Sequence, residues 1–76
     1  MKITPATSER PKALDTLVGI TEQVISFRYT DGVTISDIAR TAAACSRTMR
    51  IADLDERISI ENQTVLTIAK KRQLVN

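Results

Sequence analysis

Arginine is the residue type in this chain whose spacing could do chemistry. Arg40, Arg47 and Arg50 fall within one short stretch. A planar guanidinium presents paired N–H donors that match phosphate oxygens or the O6/N7 edge of guanine. Thr34 can add a hydroxyl contact to a phosphate, and Lys70-Lys71-Arg72 can add contacts that ignore sequence. That basic run would equally offset the dipole at the end of a helix, and Arg47 and Arg50 would equally suit a solvated helix face. Covalent and acid–base chemistry is poorly provided for. The chain has no His, which removes imidazole as a base and as a metal ligand. Its single Cys45 therefore lacks the usual partner for a reactive thiolate. Asp53, Asp55 and Glu56 form the densest carboxylate group, but they are short of the oxygen ligands and the turn glycine of a calcium loop. No glycine-rich phosphate loop is present. The expectation is a binding protein rather than an enzyme, with no cofactor and no metal.

Composition restricts the scaffold that must hold these groups. A chain of 76 residues is one small domain, burying only about 60% of its unfolded surface. A second subunit, another protein or duplex DNA would each stabilise it by binding. One Tyr, one Phe and no Trp leave an aliphatic, alanine-rich core, which favours closely packed helices. The same count nearly excludes aromatic stacking on single-stranded bases. Net charge is +2 with a pI near 9.0, mildly basic and compatible with a phosphate backbone. One cysteine implies no disulfide framework and a reducing compartment, and no apolar run approaches a membrane span. A cytoplasmic protein is expected.

Three segments carry the pattern. Residues 1–11 read as a flexible N-terminal arm, and residues 12–76 as a single helical domain. From Lys12 to Phe27, Leu17, Ile20, Val24 and Phe27 recur at three- and four-residue steps, with Leu14, Val18 and Ile25 beside them. This predicts an amphipathic helix with a broad buried face, and Gly19 within it suggests close helix contact. Asp31-Gly32 punctuates the connection. Thr34 or Ser36 can cap the next helix, with Asp37 adding favourable charge. Ile35, Ile38, Ala42, Cys45, Met49 and Ala52 then form a stripe that one unbroken helix would satisfy, as would two helices with a turn near Ala43. Residues 57–60 look extended. Residues 62–74 suggest a final helix, or 57–61 pairs with 64–69 as a β-hairpin on the strength of their β-branched content. The fold class is all-α, a small bundle of three to four helices, with a C-terminal β-hairpin wing as the variant.

The middle stretch resembles known modules. Thr34, Asp37, Ile38, Ala39, Ala42, Thr48 and Met49 resemble the T-x-x-D-[IV]-A-x-x-A…T-V signature of the lac repressor family. Ala43 stands where that pattern has Gly, and Ala44 where a larger apolar residue is common. The resemblance implies a helix-turn-helix at about residues 34–54 in a small sequence-specific regulator of transcription. Its second helix would begin near Cys45 or Ser46 and enter the major groove. Ser46, Arg47 and Arg50 would then meet DNA, with Thr34 and Arg40 on phosphates. A weaker resemblance links Thr30, Gly32, Thr34, Asp37, Ile38 and Arg50, together with Ile58-Ser59-Ile60-Glu61, to the helical lid of AAA+ ATPases. It implies a non-enzymatic helical interaction module, since the ATPase motifs themselves are missing. A third reading is an inhibitor or adaptor whose helices cover a protein partner.

Overall fold

The computed structural model describes residues 12–75, and these form three α-helices: α1 (Lys12–Arg28), α2 (Ile35–Arg47) and α3 (Leu54–Lys71). No strand occurs among the described residues. The expected arm of residues 1–11 lies outside them.

Local chemistry sets the helix ends. Tyr29 to Thr34 reverse the chain, and Gly32 adopts φ 71°, a left-handed conformation that costs other residues a Cβ clash. Thr34 closes this connection as the N-cap of α2. Its hydroxyl accepts from the Asp37 N–H while its own N–H donates to the Asp37 carboxylate, both at 3.1 Å. This reciprocal box satisfies two amides that a helix start otherwise leaves open. Asp53 caps α3, accepting from the Asp55 and Glu56 amides at 2.9 and 3.2 Å. At the far end of α3, Gln73 turns left-handed with φ 62°. The Leu74 N–H then reaches the Ala69 carbonyl and the Gln73 N–H that of Lys70, a Schellman closure of the last turn.

The capping box makes a pH-dependent contribution. The Thr34 backbone N–H, above all, holds the Asp37 carboxyl below its ordinary value of 3.8, with the Thr34 hydroxyl and the Arg40 guanidinium adding to it against partial desolvation. A carboxyl lowered on folding stabilises the fold above its unfolded pKa, and that stability is lost as pH falls through the folded value. Thr34→Ala removes the hydroxyl that accepts from the Asp37 N–H and should cost about 1 kcal/mol, as loss of an N-cap does. Urea midpoints of the unaltered chain should fall in acid as the Asp37 carboxyl is protonated, and Thr34→Ala, which keeps the backbone N–H, should retain most of that fall.

Packing decides the rest. One core cluster joins Ile25 of α1, Val33 of the connection, Ile38 of α2 and Ile68 with Ala69 of α3. A second joins Leu14 and Leu17 of α1 with Cys45 of α2 and Ile60 of α3. These partners mean that α2 runs antiparallel to α1 and α3, an up-down-up bundle. Between the clusters lie Thr21, Ala42 and Thr64, all with no exposed surface.

Several sequence expectations are corrected here. The inward face of α1 is Leu14, Leu17, Thr21 and Ile25, so Phe27 is 92% exposed and Ile20 also reaches solvent. Seven apolar residues wrap much of this helix, and their spacing alone allowed more than one buried face. Gly19 makes no close helix contact, because a Cβ there would meet open space. The residues expected to turn at Ala43–Cys45 are helical, and the chain turns instead over residues 48–53. Residues 57–60, expected to be extended, are helical, and the final helix expected over 62–74 forms in place of the hairpin weighed for 57–69, as part of α3 from Leu54 to Lys71. Burial of Ile60, Thr64 and Ile68 on one helical face outweighs the strand preference of these side chains. No described helix is long and apolar enough to cross a membrane.

Candidate functional site

Helix α2 presents its outer face as Arg40, Ala43, Ala44 and Arg47, two arginines two turns apart with only methyl groups between them. Because α1 runs antiparallel beside it, the last turn of α1 brings Val24, Arg28 and Tyr29 alongside. The result is a groove of about 640 Å³. Its floor includes Val24, Ala43 and Ala44, and Arg28, Arg40 and Arg47 supply three guanidiniums around it. Tyr29 and Thr41 add polar character.

Among the described residues no carboxylate lines this groove. Arg40 is held at 3.0 Å by Asp37, one turn earlier on the same helix. Neither Arg28 nor Arg47 takes part in an ion pair among the described residues. Two guanidiniums without an ion-pair partner among the described residues, in one groove lined with small residues, make a receptor for negatively charged groups.

The sequence-derived candidates separate into those the fold gathers and those it disperses. Arg40 and Arg47 meet at the groove. Arg28, placed by sequence in a connection, joins them because α1 continues through it. Its spacing of one helical turn from Val24 was the available signal. Thr34 is spent on the cap of α2. Arg50 sits in the turn after α2 with φ 57°, away from the groove lining. Lys70, Lys71 and Arg72 close α3, and Lys71 reaches across to Glu22 of α1 at 3.1 Å.

Ser46 is corrected outright. Expected at a DNA surface, it has no exposed surface at all. Its single hydroxyl proton is shared between two acceptors, the Ala43 carbonyl at 3.0 Å and the Glu61 carboxylate, and the latter pins α2 to α3. Arg57 Nε stands 3.5 Å from the same carboxylate, a charge contact without hydrogen-bond geometry. With α2 unbroken through Cys45, a second helix beginning near Cys45 or Ser46 does not exist. The helix that does follow the turn opens with Asp53, Asp55 and Glu56, which would repel phosphate.

No family model, curated protein or solved structure matches this chain.

Proposed function

We propose that this chain is a non-enzymatic helical interaction module that takes an acidic protein segment along the α1–α2 groove. The observation that carries this reading is a groove lined by Arg28, Arg40 and Arg47 together with Val24, Ala43 and Ala44, in which Arg28 and Arg47 take part in no ion pair among the described residues. A segment with carboxylates on its flanks and apolar groups between them matches both the walls and the floor. Small floor residues let such a segment approach closely.

A second reading is duplex DNA held through its phosphates, favoured by the single sign of Arg28, Arg40 and Arg47 on a chain of net charge +2. Base reading by a helix starting at Ser46 has no surface to work from. Transcriptional regulation would therefore rest on backbone contacts or on a protein partner.

Fluorescence anisotropy with a glutamate-rich amphipathic peptide and with duplex DNA separates the two. The peptide should bind, and the loss should be about tenfold for each of Arg28→Ala and Arg47→Ala. Arg40→Ala should cost less, since Asp37 already holds that side chain. Tighter binding to DNA, with a steep salt dependence, would transfer the function to the second reading. Affinity for both probes unchanged in the Arg28→Ala/Arg47→Ala variant would remove the groove as the working surface.

A further inference from the structure

The outer face of α3 carries an apolar row that no described residue covers. Leu54, Ile58 and Leu66 are 58%, 45% and 54% exposed, and they stand at four-residue steps with Asn62 completing the row. Side chains at such steps are neighbours on one helical face. Single exposed apolar residues are ordinary, whereas an aligned row with a polar residue at its centre is how helices specify a partner and a register.

We propose that this face binds a second copy of the chain, with the two α3 helices antiparallel and the two-fold axis at Asn62. A two-fold contact requires a surface complementary to itself. About Asn62 this one is. Ile58 and Leu66 each lie four residues from it, so each Ile58 comes level with Leu66 of the partner subunit. The Asn62 amide carries both donor and acceptor, so two copies meeting at the axis satisfy each other.

Charge fixes the direction. The first turn of α3 carries Asp55 and Glu56 and its last turn carries Lys70. None of the three is in an ion pair among the described residues. Antiparallel pairing sets each acidic turn beside Lys70 of the partner subunit, whereas parallel pairing would set like charges together. The helix dipoles favour the same direction. This inference stands apart from the groove, which is built from α1 and α2.

Sedimentation equilibrium of the full chain tests it. Molecular weight should rise from monomer to dimer with concentration, and added salt should weaken the dimer. Ile58→Glu with Leu66→Glu should leave a monomer of unchanged helicity by circular dichroism. Under mild oxidation Asn62→Cys should cross-link to its own copy, and Gln23→Cys on the outer face of α1 should not. Cys45, being buried, stays out of that reaction. A monomer at every concentration overturns the proposal. So does a dimer that survives the double glutamate variant, or one in which Asn62→Cys fails to cross-link although the protein is dimeric.

Discussion

Replacing Ile38 with alanine is expected to cost about 3 kcal/mol, enough to unfold a large part of the population at physiological temperature. Ile38 has no exposed surface and belongs to the cluster in which all three helices and their first connection meet. Its side chain shares that cluster with Ile25, Val33 and Ile68, so truncation leaves a cavity bordered by every element at once. The helices cannot close it without giving up the second cluster around Leu17, Cys45 and Ile60. Ile38→Val, which removes one methyl group, should cost about 1 kcal/mol. Urea titration read by circular dichroism measures both, with an unchanged slope showing that the folded state is the same. A cost below about 1 kcal/mol for the alanine variant would mean that the cluster around Ile38 is not the centre of the fold.

The second large effect is a gain. Thr21 and Thr64 are fully buried, and neither hydroxyl has a hydrogen-bond partner. They occupy the middle layer of the bundle with Ala42, separating the two apolar clusters. A buried hydroxyl without a partner gives up its water and receives nothing in exchange. Valine has nearly the same shape, so Thr21→Val and Thr64→Val should each stabilise the chain by about 1 kcal/mol. For a domain of this size the double variant should melt about 10 °C higher. Calorimetry on the single and double variants checks this. An unchanged or lowered melting temperature would show that the hydroxyls are satisfied in solution.

Some of this was legible in the residues. Thr34 and Asp37 define the start of α2 because a capping box needs only residues three apart. The span of α1 follows from its apolar density, and an all-helical chain follows from the scarcity of aromatics. Arg40 and Arg47 were legible as candidate binding residues, but the sequence reading set Arg47 beside Arg50 and Arg40 beside Thr34, and only the fold puts Arg40 and Arg47 in one groove. The buried polar positions were not legible. Thr21 and Thr64 sit where periodicity expects apolar groups, and Ser46 looks like any surface serine until Glu61 of α3 is placed beside it.

The sequence by itself therefore determined what is local or compositional: caps, helix-forming runs, and the lack of any histidine. Only the tertiary structure decided which face of α1 turns inward, because its apolar residues nearly encircle it. It also decided the state of residues 57–69, where strand-favouring side chains form a helix once Ile60, Thr64 and Ile68 pack on one side. The run through Ala43 and Ala44 has no local reason to break, and α2 continues to Arg47. That continuity removed the expected recognition helix, and it aligned Arg40 and Arg47 along one face. The groove itself arises from a contact between distant segments. Arg28 lines the same groove as Arg40 and Arg47 only because α1 and α2 pack antiparallel, and that pairing is driven mainly by core residues outside the groove lining.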